Sequence, residues 1–337
     1  MSLKIRRIKL ANRKTSDFQN DINVTGYVFS MNFRTGVSKA TSKWHANESY
    51  ISGNLHIATD DQATNVVPVN FFVYEKRNSK DGGMVPNEAY QTLKQLMDMP
   101  TFETAGTSAP KVRVSGSIDT NDFYSARTTS MVTAQRVNGR FIHIANPGVN
   151  VSPAAFDANV VVTSTLDHEE EGRDPFLDVR GYVFNYNGSR LFPVRFECHD
   201  QGGIDFLTSL DATSSNPVVV NLWGEIQTTL VVKQNPVEEA AVSGFGVRPT
   251  ISGNQVNTLR SWVITGADTA NVPEFGTTDV FSTDGLKRLI DERNVRLEQT
   301  KQYGIQRASG AASGFQTAKP KPAANTSAEI YDDDIPF

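Results

Sequence analysis

The sequence predicts a mainly β protein in which two similar β-barrels follow one another along the chain. Apolar and polar residues alternate with the period of a β-strand in many short stretches between residues 22 and 264. One order of elements, namely three strands, a helix and two strands, occurs twice, and the copies differ mainly in their loops. Recurrence of such an order is typical of a duplicated structural unit. We therefore expect two domains, at residues 21–150 and 151–272.

The first copy contains five stretches that alternate like strands, at 22–29, 50–58, 67–75, 111–118 and 140–146. A helix is predicted at 87–98, because Asn87 supplies a start signal and Pro100 follows its end. Long loops are expected at 30–49 and between the last two strands. This order of elements is that of the OB-fold, a small five-stranded barrel.

The second copy repeats these elements in the same order. Strands that correspond to the second to fifth strands of the first copy are predicted at 177–183, 193–196, 217–226 and 261–264. A short helix at 204–210 corresponds to the helix at 87–98. The fold class predicted for the whole chain is therefore two tandem OB-like barrels.

The N-terminal segment, residues 1–20, is a basic arm. Six Lys or Arg residues precede its first acid, Asp17. The period-two alternation from Leu3 to Leu10 also fits an edge strand with exposed charges, and the sequence does not decide between these two interpretations.

The C-terminal region changes character after Pro273. Within residues 273–303 an amphipathic helix is predicted at 284–302, which either packs on the second barrel or mediates homo-oligomerisation. Residues 304–337 begin with Ala, Gly, Ser, Thr and a Lys-Pro-Lys-Pro run, a composition that cannot build a core. We expect a flexible tether here.

The composition excludes several classes of protein. No apolar run approaches the roughly 18 residues of a membrane span, and the N-terminal segment lacks an apolar signal core. The single cysteine, Cys198, rules out an intrachain disulfide and a cysteine-based zinc cluster. These features predict a protein of the reducing cytoplasm with no membrane partner.

No motif points to an enzyme. The five histidines form no HxxxH or HxH pair, and no GxxxxGK[ST] phosphate loop is present. Asp60, Asp61 and the acidic run at 167–171 lack a second cluster of ligands at fixed spacing, so we interpret them as solvated loops. We expect no catalytic residue, no metal and no cofactor.

The charge is distributed unevenly along the chain. Residues 1–150 contain 18 Lys and Arg against 12 Asp and Glu, whereas residues 151–337 contain 15 against 25. A polyanion is therefore expected to bind the first half.

Candidate binding residues come from the first copy alone. OB-folds bind through strands 2 and 3 and through the loops that join strands 1–2 and 4–5, and binding of single strands needs cations for phosphates and aromatic rings for bases. In strand 3, Phe72 and Tyr74 are expected to be exposed if Phe71 and Val73 are core. The complete candidate set is Arg34, Lys39, Lys43, Trp44, Tyr50, His56, Phe72, Tyr74, Lys76, Arg77, Lys111, Arg113, Phe123, Tyr124, Arg127 and Arg140.

The sequence ends in an acidic segment that carries an apolar tip, Asp332, Asp333, Asp334, Ile335, Pro336 and Phe337. An exposed ring beside a carboxylate suits a small apolar pocket with a basic residue at its edge, and the preceding acids would steer it there. Pro336 restricts the free conformations, so less entropy is lost on binding.

This end resembles the C-terminal tip of bacterial single-stranded DNA-binding proteins. The resemblance implies a protein that coats and protects single-stranded DNA and recruits replication, recombination and repair enzymes through the tip. Two tandem barrels depart from the usual bacterial arrangement of one OB domain per subunit in a tetramer, and a bacteriophage-encoded version that acts in the host cytoplasm would explain this departure. The alternative is a non-enzymatic scaffold whose barrels bind proteins instead of DNA.

Overall fold

The computed structural model describes residues 17–42, 45–78, 83–169, 174–233, 255–276 and 279–312. Most of the basic arm and the whole acidic tip lie outside these ranges. None of the helices in the described ranges has an apolar stretch of the length that a membrane span requires.

The first half of the chain forms a closed five-stranded barrel, called barrel 1. Its elements are β1 (Asn20–Val37), β2 (Ser49–Ala58), β3 (Val66–Tyr74), β4 (Lys76–Asn78), β5 (Met84–Pro86), α1 (Glu88–Met97), α2 (Phe102–Ala105), β6 (Lys111–Ser125) and β7 (Ser130–Ile144). The barrel closes in the order β1–β2–β3–β7–β6–β1, and only the β3–β7 pairing is parallel. The short strands β4 and β5 form a separate hairpin.

The second half forms barrel 2 with the same topology. Its elements are β8 (Ser152–His168), β9 (Phe176–Phe184), β10 (Leu191–Cys198), α3 (Gln201–Ser209), β11 (Val218–Lys233) and β12 (Gln255–Asp268). The barrel closes as β8–β9–β10–β12–β11–β8, with β10 and β12 parallel. A long helix, α4 (Thr283–Ala312), follows.

The predicted fold class is confirmed: the chain is mainly β, with two OB-type barrels and a C-terminal helix. Two predicted loops were wrong. Residues 30–37 continue β1 alongside β2, and the stretch between the last two strands of barrel 1 is a long hairpin in which Ser125 pairs with Ser130. Polar Ser, Thr and Asn residues dominate this hairpin, so it carries no apolar alternation that would predict a strand.

The two barrels share a seam made by their first strands. β1 pairs antiparallel with β8, and Ile22 lies opposite Phe156. Within its own barrel each of these residues pairs with a glycine at a β-bulge, Ile22 with Gly116 and Phe156 with Gly224. Equivalent residues of the two barrels therefore lie opposite each other, as they do on a two-fold axis. The chain thus contains an approximate two-fold relation between its halves.

Asn20 connects three elements at this seam. Its side chain is buried, and its Nδ2 donates to the carbonyl oxygens of Ile118 and Phe184, each at 3.0 Å. Its Oδ1 accepts a hydrogen bond from the Ile118 amide at 2.7 Å. One amide therefore satisfies backbone groups of β6 in barrel 1 and of β9 in barrel 2.

Helix α4 contacts both barrels. Its first turns bury Leu286 and Leu289 in an apolar cluster with Phe184 of barrel 2. Farther along, Arg293 Nη2 lies 2.6 Å from Asp122 Oδ1 on the β6–β7 hairpin of barrel 1. The expected packing on barrel 2 is present, and the helix also braces the hairpin of the other barrel.

We predict that Asn20→Ala destabilises the protein by about 2–4 kcal/mol, because the buried backbone groups that it pairs lose their partners. The measurement is urea-induced unfolding followed by circular dichroism. Asn23→Ala is the matched control, since Asn23 is exposed and bonds only the Ser115 hydroxyl among described residues; its effect should stay within roughly 0.5 kcal/mol. Equal effects of the two substitutions would contradict the role of Asn20.

Candidate nucleic-acid interface

The outer surface of β1, β2 and β3 is a continuous sheet face, called the β1–β3 face. Strand register places outward side chains in rows across the three strands. From one end to the other the rows are Gly36, Tyr50 and Tyr74; Arg34, Ser52 and Phe72; Asn32, Asn54 and Asn70; and Ser30, His56 and Pro68. Neither β2 nor β3 contains an acidic residue. A polyanion on this face therefore meets no repulsion from β2 and β3.

Gly53 lets the strands approach closely under this face. Its φ is +141°, and a Cβ there would lie 2.0 Å from the backbone oxygen of Asn32. Any side chain at this position would push β1 away from β2, so the local geometry depends on glycine.

An aromatic cluster occupies one end of the β1–β3 face. The rings of Tyr50 and Phe72 are stacked with centroids 5.1 Å apart, and Tyr74 meets Phe72 edge-on at 5.2 Å. His45, from the loop between β1 and β2, stacks on Tyr74 at 3.9 Å and is held by Glu48, whose Oε2 lies 2.7 Å from His45 Nδ1. Each ring is fixed by a neighbour, so the cluster is ordered before any ligand arrives.

Tyr74 differs from its sequence prediction. It was expected to be exposed, but the His45 ring covers it and leaves it buried. Phe72 and Tyr50 remain half-buried and present ring surface to solvent. Tyr74 therefore packs edge-on against these two rings.

Cations surround the aromatic cluster. Arg34, Lys76 and Arg77 are exposed, and none of the three side chains forms an ion pair with another residue in the described part of the chain. Arg34 shares a row with Phe72, and the other two lie on β4, directly after β3. These positions suit contacts with phosphates on either side of a stacked base.

His56 lies at the opposite end of the face. Its Nδ1 is 3.1 Å from the Ser30 hydroxyl. Partial burial and the positive charge of Arg260 lower the pKa of His56, against opposing effects of Glu103 and Ser30. Its imidazole is therefore more difficult to protonate than one in water.

Three predicted binding residues contact other parts of the chain. Lys111 Nζ donates to the Val149 carbonyl at 2.7 Å and lies over the Tyr27 ring. Arg140 Nη2 donates to the Asn20 carbonyl at 2.7 Å, at the seam between barrels. Tyr124 lies under α4, where a Cβ on Gly304 would be 2.4 Å from it. Alternation predicted that Lys111 points outward, but it could not show which distant backbone group its side chain meets.

Other predicted residues lie away from the β1–β3 face. Arg113 is exposed on β6, which neighbours β1 on the side opposite β2. Phe123 and Arg127 are exposed on the β6–β7 hairpin. Lys39 is exposed in the loop after β1, whereas Lys43 and Trp44 lie outside the described residues.

Barrel 2 presents a different surface at the equivalent strands. Asp178 is buried on β9, and both of its oxygens accept charged hydrogen bonds, at 2.6 Å from Arg180 Nη2 and at 2.8 Å from Arg195 Nε. Burial alone would raise the pKa of Asp178, but the two guanidinium groups hold it below its ordinary value. The carboxylate of Asp178 thus pairs with both outward cations of β9 and β10, Arg180 and Arg195.

Sequence reasoning missed two exposed or charged groups near barrel 1. Phe141 is 63% exposed because Arg140 and Phe141 both point outward at the bulge in β7, where Arg140 has no partner on β6. Arg260 belongs to barrel 2 but acts on His56 of barrel 1. The bulge interrupts the period-two alternation, so the sequence pattern could not predict that Phe141 is exposed. His56 and Arg260 are far apart in sequence, so no local pattern could predict that they lie near each other.

No group of three or more His, Cys, Asp or Glu side chains in the described ranges is arranged to hold a metal ion.

The fold and this surface define a tandem OB-fold protein with one aromatic, cation-edged face. The family model described as YorF matches residues 19–303, so the chain belongs to the YorF family. That description names no ligand or activity. A comparison with curated proteins found no match.

Solved structures with a similar arrangement include two of the single-stranded DNA binding protein from Thermus aquaticus. A deletion mutant has a TM-score of 0.44 at 8% identity, covering 77% of this chain and 97% of that one. The wild-type protein has a TM-score of 0.41 at 8% identity, covering 77% and 95%.

We predict that Asp178→Asn destabilises the protein by roughly 1–3 kcal/mol at pH 7, because two charged hydrogen bonds weaken. The folded-state pKa lies below the unfolded one, so this stabilisation is present above the ordinary value of 3.8 and is lost as pH falls through the folded value. Urea unfolding at a descending series of pH values should show the two proteins converging below pH 3.8. Asp174→Asn, at an exposed acid of the same barrel, is the control and should show little effect. A difference that is independent of pH would refute this linkage.

Proposed function

We propose that this protein binds single-stranded DNA through the β1–β3 face of barrel 1. The observation that carries the proposal is the stacked pair Tyr50 and Phe72. Three exposed cations, Arg34, Lys76 and Arg77, lie beside this pair, and β2 and β3 contain no acid. Aromatic rings stack on unpaired bases of any sequence, and cations contact the phosphates between them. A duplex buries its bases and cannot use the rings, so single strands are preferred.

Barrel 2 acts mainly as a structural partner in this proposal. Its equivalent face has Asp178 and Glu197 on the strands, and the guanidinium groups of Arg180 and Arg195 are already bound to Asp178. Phosphates would have to compete with a buried carboxylate there. The protein is thus a non-enzymatic DNA-coating protein with one principal groove.

The acidic segment 332–337 has a separate role in the proposal. Its acids and terminal apolar residues suit an apolar pocket with a basic edge on a partner enzyme of replication, recombination or repair. Such partners work on single-stranded DNA in the bacterial cytoplasm. A bacteriophage-encoded protein that recruits host enzymes in this way fits the tandem arrangement.

We expect Phe72→Leu to weaken binding of an oligo-dT strand by about 1–3 kcal/mol, because leucine keeps the apolar packing but has no flat face for a base. Fluorescence anisotropy of labelled single strand, with a duplex of equal length in parallel and a salt titration, measures this effect. The wild type should prefer the single strand and lose affinity steeply with salt.

Tyr186→Ala is the control for this experiment. Tyr186 is also an exposed aromatic residue, but it lies in the turn between β9 and β10 of barrel 2. Its removal should leave the affinity unchanged. Binding that is equally tight to duplex, or unaffected by Phe72→Leu, would refute the proposed groove and favour a protein-binding scaffold.

We also expect Phe337→Ala to abolish capture of partner enzymes without weakening DNA binding. A peptide of residues 329–337 on a resin would be incubated with purified bacterial replication and repair enzymes, beside the same peptide carrying Phe337→Ala. Retention by the first peptide only, at equal charge, is the expected result. Equal retention of the enzymes by both peptides would show that the acidic residues bind them without Phe337. The DNA affinity of the full-length Phe337→Ala protein is the internal control and should equal that of the wild type.

A further inference from the structure

The β11–β12 hairpin of barrel 2 reaches over the start of β3 in barrel 1. The Thr228 amide donates to Asn65 Oδ1 at 2.9 Å, and the Thr228 hydroxyl donates to the Val66 carbonyl at 3.1 Å. Asn65 Nδ2 in turn donates to the Ile226 carbonyl at 3.0 Å. Three hydrogen bonds therefore fix this hairpin against the other barrel.

Arg260 is held at this junction by its strand register. It lies directly opposite Thr228 in the β11–β12 ladder, and residues opposite each other project to the same side of a sheet. Since the Thr228 side chain bonds barrel 1, the Arg260 side chain also faces barrel 1. Its electrostatic effect on the pKa of His56 agrees with this placement.

The guanidinium of Arg260 is not neutralised in the described part of the chain. It forms no hydrogen bond or ion pair with another described residue, and the side chain is exposed to solvent. The surrounding protein removes part of its water and lowers its pKa. A partly desolvated cation without a carboxylate gains more than a fully solvated one when an anion binds.

The two-fold relation between the barrels supplies a direct comparison. Thr120 follows the bulge glycine of barrel 1 by four residues, as Thr228 does in barrel 2, and Gln135 lies opposite Thr120. Gln135 and Arg260 therefore occupy equivalent positions. Gln135 Oε1 accepts a hydrogen bond from the Arg195 amide of β10 at 2.9 Å. Barrel 2 is therefore contacted by the neutral side chain of Gln135, whereas barrel 1 faces the cation Arg260 at the equivalent position.

We propose that Arg260 of barrel 2 and His56 of barrel 1 together form a subsite for a backbone phosphate of single-stranded DNA. The proposal rests on the proposed function and extends it, because the groove then includes a residue from the second barrel. His56 lies six residues along β2 from Tyr50, a distance of about 20 Å at strand spacing. A DNA strand stacked on the aromatic cluster thus continues across the row of Asn32, Asn54 and Asn70 to Arg260.

The test compares Arg260→Gln, Arg260→Lys and the control Lys287→Gln by anisotropy of oligo-dT over a salt series. Arg260→Gln recreates the residue found at the equivalent position and should lower affinity roughly tenfold at low salt, while the slope of log affinity against log salt falls by about 0.7. Arg260→Lys should keep the slope. Lys287 is exposed on α4, so its replacement removes the same charge away from the junction and should change neither quantity.

A second readout follows His56 directly. In the wild type, a bound phosphate should raise the pKa of the His56 imidazole. NMR titration with and without oligo-dT measures this change. Arg260, Glu103 and Ser30 act on the pKa of His56 in both samples. In a purely structural role, Arg260→Gln would lower the melting temperature and leave the salt slope unchanged.

The outcomes separate this inference from the proposed function. If the wild type binds single strands and Phe72→Leu weakens binding, but Arg260→Gln behaves like Lys287→Gln, the subsite is refuted and the groove stands. If the wild type does not bind single strands, the proposed function fails and the subsite fails with it.

Discussion

The pairing of β1 with β8 is the interaction on which the rest of the structure depends. Backbone hydrogen bonds along this seam join two closed barrels into one continuous sheet, and Asn20 adds bonds to a third and a fourth strand. Because equivalent residues lie opposite each other at Ile22 and Phe156, the seam also sets how every other element of one barrel meets its counterpart. The reach of each long hairpin toward the other barrel follows from this geometry.

The two barrels share a topology but have opposite surface chemistry. Strands 2 and 3 of barrel 1 keep aromatic, amide and imidazole groups outside, whereas those of barrel 2 bury Asp178 beneath two guanidinium groups. Both barrels need apolar side chains at the inward positions of their strands. The outward positions do not contribute to the core, so their residues can differ between the barrels. Function in such a fold resides in those residues and cannot be inferred from the barrel itself.

Much of the fold was predictable from the sequence, because period-two alternation reports which side of a strand is core. Phe72 was placed correctly on the outer surface for this reason. Tyr74 obeys the same alternation, yet it is buried because His45 from a distant loop stacks on it. Lys111 and Arg140 point outward from their strands and then bond backbone groups that are remote in sequence. Alternation along a strand shows which way a side chain points, whereas the group that the side chain contacts depends on the tertiary structure.

The two barrels related by the approximate two-fold axis belong to one chain. This affects how their sequences can evolve and how the barrels assemble. In a symmetric dimer of identical subunits, every substitution appears at both equivalent positions, so a cation at one junction requires a cation at the other. Here Gln135 and Arg260 can differ. The covalent link also makes formation of the seam independent of protein concentration. The paired barrels therefore remain together on dilution, when an equivalent dimer would dissociate into halves with exposed strand edges.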